Sequence, residues 1–186
     1  MTQKSTMMTT ANLDSTPEPP KTERKTRRPR KKASPASKKL PSNPFMNEIL
    51  ELVNEQKTDA KKVAILQEYE CDILKSLFIW NFDDSVISLL PVGNVPYKPN
   101  ESPLGTDHSS LRREQRSLYN FVKGGNPSLS GLRRETMFIN ILQGLHPLEA
   151  EILILVKDKK LSDKYKITKD VVAEAYPQIV WNMNRS

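Results

Sequence analysis

The chain has 186 residues, one cysteine and a formal net charge of +7. A single cysteine cannot form an intramolecular disulfide, so the composition excludes a small secreted domain held together by disulfides. No stretch approaches the roughly 18–20 consecutive apolar residues of a transmembrane helix, and the N-terminus lacks the apolar core of a signal peptide, so we expect no membrane partner.

The positive charge is concentrated in residues 1–42, which we call the basic arm. The arm holds 11 Lys and Arg against three acidic residues, a net of +8, so the other 144 residues carry 18 positive and 19 negative charges, a net of −1. The arm also contains six prolines and few apolar side chains. We predict that it is disordered, because it can bury too little surface to offset the entropy lost on ordering.

The centre of the basic arm is typical of segments that lie along phosphate backbones. A solubilising tail with no defined partner is the alternative. The arm has no aromatic residue for base stacking, so binding to DNA or RNA should be independent of sequence and sensitive to salt. The predicted nucleic-acid-binding residues of the arm are Arg24, Lys25, Arg27, Arg28, Arg30, Lys31 and Lys32.

Residues 43–186 predict a mostly α fold, a single compact helical domain of about five to six helices with a long Pro-rich loop. The first helix is predicted to begin at Asn43-Pro44, because Asn caps helices and Pro suits their first position. A second, long helix is predicted from Thr58 or Asp59 to Asn81, and its apolar stripe favours a central place in the core. Asp83-Asp84 should end it.

Two segments after Asp84 leave alternatives open. Val86–Pro91 fits either a short strand or a last apolar turn. Residues 91–108 form a long linker rich in Pro and Gly, and loops of this length are often functional. Within it, Tyr97 and Lys98 predict either a docking motif for a partner or a strap that packs across the helices.

Residues 109–145 contain a near-repeat. Ser109–Glu114 recurs as Ser130–Glu135, each copy is followed by an apolar tail, and Gly124-Gly125 lies between them. The pattern predicts two amphipathic helices joined by a short turn, the first capped by Asp107 or Ser109 and the second begun by Asn126-Pro127 or Ser128.

Each copy carries an arginine pair near its start. Together with Arg116 the pairs predict an arginine edge that contacts phosphates, although pairing with Glu114 and Glu135 in solvent is the commoner fate of such residues. The predicted nucleic-acid-binding residues of the pairs are Arg112, Arg113, Arg133 and Arg134.

The C-terminal part contains two further predicted helices. His146-Pro147 suits the start of a buried helix over 147–156, and Thr168 suits the cap of a final helix. The lysine-rich run Lys157–Lys169 between them is another candidate phosphate surface. Trp181 either packs back on the domain or anchors a partner.

Catalytic chemistry is weakly represented in the sequence. His108 and His146 are far apart along the chain, and neither belongs to a motif with ligand spacing. Paired acids lie where helices are expected to begin or end. We therefore expect no enzyme activity, no metal and no cofactor.

Five blocks follow one another along the chain: Pro96–Asn100, Phe121–Gly125, Arg134–Ile139, Leu142–Glu151 and Val156–Leu161. Together they resemble a family of small proteins encoded by T-even-like and marine tailed phages. The likeness covers about residues 45–180, in order, and implies a viral source and a recurring helical domain without an assigned activity.

These observations predict a non-enzymatic phage accessory protein in the cytoplasm of the infected bacterium. The arm would bind DNA or RNA without sequence preference while the helical domain contacts a host or phage protein. A virion structural or assembly component is one alternative, and an inhibitor or adaptor that binds a host protein without nucleic acid is another.

Overall fold

The computed structural model describes residues 39–103 and 106–182, which we call the helical body. The predicted mostly α fold is confirmed, with eight α-helices and one 3₁₀ helix in the helical body, slightly more than predicted. The predicted disorder of residues 1–38 lies outside the described residues. The α-helices are α1 Met46–Asn54, α2 Asp59–Glu68, α3 Asp72–Phe82, α4 Leu111–Glu114, α5 Gly131–Gly144, α6 Pro147–Lys157, α7 Leu161–Tyr165 and α8 Lys169–Ala175, and the 3₁₀ helix is Gln115–Phe121.

The start of the helical body differs from the prediction. Helix α1 begins at Met46 with Phe45 as its N-cap, not at Asn43-Pro44, and the Phe45 amide donates to Glu48 Oε2 at 2.8 Å. The Glu48 carboxylate, and not the Asn43 side chain, therefore makes the capping hydrogen bond at the start of α1. Upstream, the Leu40 amide donates to the Tyr69 hydroxyl oxygen at 3.2 Å, so packed residues begin before the predicted boundary at residue 43.

The predicted long helix is two helices, α2 and α3, separated by a break at Tyr69–Cys71. Cys71 is extended, with φ −155° and ψ 153°. A continuous helix would place the like charges of Glu68 and Asp72 one turn apart, whereas Asp72 in the first turn of α3 is favoured by the helix dipole. The two helices also pack against different partners, α2 on α8 and α3 on α6.

Helix α6 occupies the centre of the helical body. It packs against α1, α3, α5 and α7, and Ile152, Leu153 and Val156 are fully buried. The predicted deep burial of 147–156 is confirmed, but the central place belongs to this helix and not to residues 63–81. His146 is its N-cap, with Nδ1 accepting from the Leu148 amide at 3.3 Å, and Pro147 follows as predicted.

A buried carboxylate links the starts of three helices. Glu149, in the first turn of α6, accepts from the Met46 amide of α1 and from the Leu111 amide of α4, each at 3.0 Å. Burial raises the pKa of Glu149, although both amide donors favour the charged form. Since the first amides of a helix have no partner within the helix, this one side chain satisfies two of them.

The two near-copies have different structures. The first forms only α4 and then the 3₁₀ helix, whereas the second forms the 14-residue α5. The prediction of two similar amphipathic helices is therefore wrong for the first copy. Its buried Leu118 and Phe121 are three residues apart, and residues at this spacing share one face of a 3₁₀ helix. The N-caps are Ser110 and Ser130, not the residues that were predicted.

Residues 86–90 form neither a regular strand nor a helical turn. They make one antiparallel bridge, Ser88 to Val122, after the 3₁₀ helix. The Leu89 amide donates to the Phe121 carbonyl at 2.8 Å, and the Lys123 amide donates to the Ile87 carbonyl at 2.9 Å. Across residues 39–103 and 106–182, no helix has the length and apolar character needed to cross a membrane.

Candidate nucleic-acid interface

The seven predicted binding residues of the basic arm, at positions 24–32, lie outside the described residues. The four arginines of the near-repeat lie within them and fall into three environments. Arg113 and Arg133 are exposed, Arg112 is half-buried and Arg134 is buried. Arg112 Nη2 donates to the Pro44 carbonyl at 3.4 Å, while its buried Nε has no partner among the described residues.

Arg134 holds together the connection between the two copies. Its Nε donates to the Asn120 carbonyl at 2.7 Å, and its Nη2 donates to the carbonyls of Leu129 at 2.9 Å and Asn126 at 3.3 Å. The side chain is only 8% exposed. The predicted arginine edge is therefore wrong at this position, because the planar guanidinium is used to satisfy buried carbonyls.

An exposed row of side chains runs along the first copy. Arg113, Arg116 and Tyr119 are spaced by three residues, all three are exposed, and Lys123 lies exposed just after the 3₁₀ helix. We call these four residues the Arg–Tyr row. Residues three apart eclipse one another in a 3₁₀ helix, so Arg116 and Tyr119 lie on one line. None of the three cations forms an ion pair within the helical body.

A groove of about 590 Å³ lies beside this row, between α3 and the 3₁₀ helix. Its polar residues stand on two sides, with Asp72 and Ser76 on α3 and Gln115 and Arg116 on the opposite wall. The remaining lining residues are apolar or aromatic, namely Ile79, Trp80, Val86, Leu118, Tyr119 and Val122. The groove thus combines an apolar lining with a positive wall.

Two glycines position the end of the row. Gly124 has φ +89°, a conformation that L side chains rarely adopt. A Cβ on Gly125 would overlap the carbonyl oxygen of Tyr119. The turn after Lys123 can therefore close tightly against the 3₁₀ helix, and the bridge from Ser88 to Val122 joins the segment of Val86 to the end of that helix.

The second predicted phosphate surface, Lys157–Lys169, is partly used within the protein. Lys157 is buried, and its Nζ donates to the Pro91 carbonyl at 2.8 Å, the Gly93 carbonyl at 3.0 Å and Asp158 Oδ1 at 2.5 Å. Lys159 Nζ donates to the Asp83 carbonyl at 2.7 Å. These two lysines hold the loop that follows α3. Burial removes Lys157 from a phosphate surface, whereas Lys159 stays exposed.

The same corner contains a buried carboxylate whose ionised form is favoured. Burial alone would raise the pKa of Asp83, but hydrogen bonds from Ser85 and Asn182 and the charge of Lys169 hold that pKa below its ordinary value. The Ser85 and Asn182 amides each lie 2.8 Å from a carboxylate oxygen of Asp83. The carboxylate therefore fastens the chain after Trp181 to the end of α3.

The three predicted partner-binding residues are only partly available. Tyr97 is half-buried against the core, as a strap would be, while the neighbouring Lys98 is exposed. Trp181 packs against the core, with Lys169 Nζ 5.0 Å from its ring centre. Val180, next to it, is exposed. A partner would therefore meet Lys98 and Val180 before either aromatic ring.

The rings of His108 and His146 lie against each other although the residues are 38 positions apart in the chain. Their ring centres are 5.2 Å apart in an edge-to-face arrangement, because a parallel bridge joins Ser109 to Leu145. Burial, together with His108, lowers the pKa of His146. His108 Nε2 lies 2.8 Å from the Ser102 carbonyl. Within the described residues no group of three or more His, Cys, Asp or Glu side chains could hold a metal ion.

The family of unknown function DUF6433 matches residues 49–163, more than half of the chain. The chain belongs to this family. No curated protein matches the chain, and no solved structure matches it. The DUF6433 match includes the Arg–Tyr row and the groove beside it, and it leaves out the basic arm and α8.

Tyr119 of this DUF6433 protein is a candidate that the sequence pattern did not indicate. In an α-helix, residues 112, 116 and 119 would share a face, and Tyr119 would count among the apolar residues of the amphipathic helix. The three-residue spacing of Arg113, Arg116 and Tyr119 is visible in the sequence, but it indicates an exposed row only once a 3₁₀ helix is known.

Proposed function

We propose that this protein binds nucleic acid without sequence preference through its basic arm, while the helical body contacts a protein partner. One observation carries the proposal, the separation of charge along the chain. The arm has a net charge of +8 in 42 residues, and the remaining 144 have −1. Such a segment attracts phosphate backbones by releasing counterions, a contribution that does not depend on base sequence.

The use of cations inside the helical body supports the arm as the main phosphate contact. Arg134, Lys157 and Lys159 donate to backbone carbonyls. Lys164 pairs with Glu151 at 2.5 Å, and Lys75 pairs with Glu70. These five cations already contact acceptors within the helical body, so they are less available to a polyanion.

Exposed apolar side chains support a protein partner for the helical body. Ile87, Leu89 and Val92 lie within one six-residue segment after α3 and are all exposed, Val92 by 84%. Scattered exposed apolar residues are normal, but a cluster on one segment is typical of an interaction surface. Lys98 and Val180 are further candidates for this contact.

The resemblance to proteins of tailed phages favours the cytoplasm of an infected bacterium as the place of action. A component of the virion is the second candidate, since a basic arm also suits packaged DNA. Mass spectrometry of purified particles separates the two, because an accessory protein that acts in the cell is expected to be absent from the particle.

The experiment that tests the arm is fluorescence anisotropy of a labelled DNA duplex over a range of salt concentrations. If all seven central cations contact phosphates, the slope of log K against log salt is about −6. Replacing Arg24, Lys25, Arg27, Arg28, Arg30, Lys31 and Lys32 by Gln should bring this slope close to zero. Duplexes of different sequence should bind the unaltered protein equally.

A matched control removes a similar charge from the helical body. Its substitutions to Gln are at the exposed residues Lys57, Lys61, Lys98, Arg133, Lys160 and Lys166. This control should keep most of the salt dependence. If the control loses binding while the arm variant keeps it, the arm is not the phosphate contact and the proposal fails.

A further inference from the structure

We infer that the Arg–Tyr row and the groove beside it bind single-stranded nucleic acid, with Tyr119 stacked on a base and Arg113, Arg116 and Lys123 contacting the phosphates. This inference rests on the proposed function. It adds a preference for single strands, which the basic arm alone does not provide, since the arm has no aromatic residue.

Tyr119 is placed as a stacking platform. It is 53% exposed, although it belongs to the short helix that buries Leu118 and Phe121 on either side of it. The exposed ring is free to stack on a flat partner, and every nucleobase offers such a face. In a duplex those faces are already stacked on neighbouring bases, so only a single strand can use the ring.

Charge complementarity favours a polyanion as the occupant of this surface. Arg113, Arg116 and Lys123 surround Tyr119 in sequence and have no ion-pair partner within the helical body. The rise of the 3₁₀ helix places Arg116 and Tyr119 about 6 Å apart along its axis. Neighbouring side chains can therefore contact neighbouring nucleotides of an extended strand.

The groove sets the direction in which the base enters. Its volume of about 590 Å³ falls within the range of pockets that take small organic ligands. Ile79, Val86 and Val122 offer apolar surface to the base. On the far wall Asp72 is exposed and lies 3.9 Å from Lys75, which also pairs with Glu70. Phosphates are thus expected on the arginine side and the base between the two walls.

The test compares single-stranded and duplex oligonucleotides of the same length, in DNA and in RNA, with the full-length protein. Tyr119→Ala should weaken single-strand binding by about fivefold or more, the loss that one stacked base predicts. It should leave duplex binding unchanged. Tyr119→Phe should restore single-strand binding, because stacking needs the ring and not the hydroxyl.

The arginines are tested through the salt dependence of single-strand binding. Arg113→Gln combined with Arg116→Gln should reduce the slope of log K against log salt by about 1.4, the contribution of two phosphate contacts to a single strand. The control is Arg133→Gln in the second copy, which is exposed like Arg113 and Arg116 but lies outside the row. It should change neither the slope nor the preference for single strands.

A crosslinking measurement gives a direct readout. Single strands that carry 5-iodouracil should crosslink to Tyr119 under ultraviolet light, and peptide mass spectrometry identifies the residue. Absence of this crosslink, or single-strand binding that Tyr119→Ala leaves intact, would overturn the inference. Thermal unfolding of each variant confirms that the substitution at this exposed site has not unfolded the protein.

The outcomes separate this inference from the proposed function. If the seven-Gln arm variant loses all binding and Tyr119→Ala has no effect, the arm is the nucleic-acid contact and the inference about the row is wrong. If the arm variant keeps both duplex and single-strand binding while Tyr119→Ala loses single-strand binding, the row is confirmed and the role of the arm is wrong. If the unaltered protein binds neither oligonucleotide, both fail.

Discussion

The two copies of the Ser-x-Leu-Arg-Arg-Glu segment use the same residue types in opposite ways. Leu111 of the first copy is fully buried, whereas Leu132 of the second is 77% exposed. The second arginine of each pair shows the reverse, since Arg113 is exposed and Arg134 is buried. An identical local pattern therefore leaves open which side chain enters the core.

Contacts from distant parts of the chain produce this difference. At the start of the first copy, the Glu149 carboxylate of α6 accepts a hydrogen bond from the Leu111 amide. This contact holds the start of α4 against α6. The second copy begins with its own cap, because Ser130 Oγ accepts from the Arg133 amide at 3.4 Å. Its Arg134 then turns inward to the carbonyls of the connection. One copy is anchored by a remote group and the other by its own residues.

The largest expected difference between the copies concerns the two leucines. Leu111→Ala should lower the free energy of unfolding by about 2–5 kcal/mol, since it removes a fully buried side chain and leaves a cavity. Leu132→Ala should change it by less than about 0.5 kcal/mol, as is usual for exposed positions. Urea denaturation measures both. Equal losses would show that Leu132 is buried in solution.

For the second arginine of each pair, the substitution in the second copy should lower the free energy of unfolding more than the one in the first copy. The loss should be somewhat smaller than that for Leu111→Ala. Arg134→Ala should cost about 2–3 kcal/mol, because it removes charged hydrogen bonds and leaves the Asn120 carbonyl unsatisfied. Arg113→Ala should cost less than about 0.5 kcal/mol. Arg134→Lys should recover only part of the loss, since an ammonium cannot reproduce the planar guanidinium fork.

The outcome that contradicts this arrangement is a larger loss from Arg113→Ala than from Arg134→Ala in the same denaturation series. Hydrogen exchange adds a local measure. The amides of residues 120–130 should lose protection in the Arg134→Ala variant, because its guanidinium contacts the carbonyls on both sides of the turn.

The features that the sequence predicted correctly are those decided by near neighbours. The start of α6 at His146-Pro147 and the cap of α8 at Thr168 depend on residues within one turn. The burial of 147–156 follows from a run that is almost wholly apolar. In each case the local pattern permits one structure, so no information from the rest of the chain is needed.

The features that could not be predicted from the sequence depend on contacts between residues far apart in the chain. The break between α2 and α3 reflects two helices with different packing partners, and the apolar stripe runs through the break without a Gly or Pro. The 3₁₀ helix is held by the bridge to residues 86–90 and by Arg134. The candidate site follows from that helix, which is why Tyr119 could not be selected from periodicity alone.

The smallest expected difference between the copies is in how their starts respond to pH. Burial raises the pKa of Glu149 above its ordinary 4.5, so between these two values the folded protein holds a proton that the unfolded chain has released. The stability that this group contributes is therefore highest below about pH 4.5, falls as the pH rises through the window, and is constant above the raised pKa.

Comparison of two variants across this window isolates the effect. We compare the free energy of unfolding of the unaltered protein with that of Glu149→Gln. The difference should become smaller as the pH rises from 4.5 to 7, because Glu149 titrates in the unaltered protein and Gln does not. Ser130→Ala, at the start of the second copy, should cost about 1 kcal/mol at every pH, since a hydroxyl cap does not ionise in this range. A cost of Ser130→Ala that varies with pH would mean that the cap of the second copy depends on a titrating group. A difference for Glu149→Gln that does not vary with pH would mean that the anchoring of the first copy to α6 is independent of the charge on Glu149.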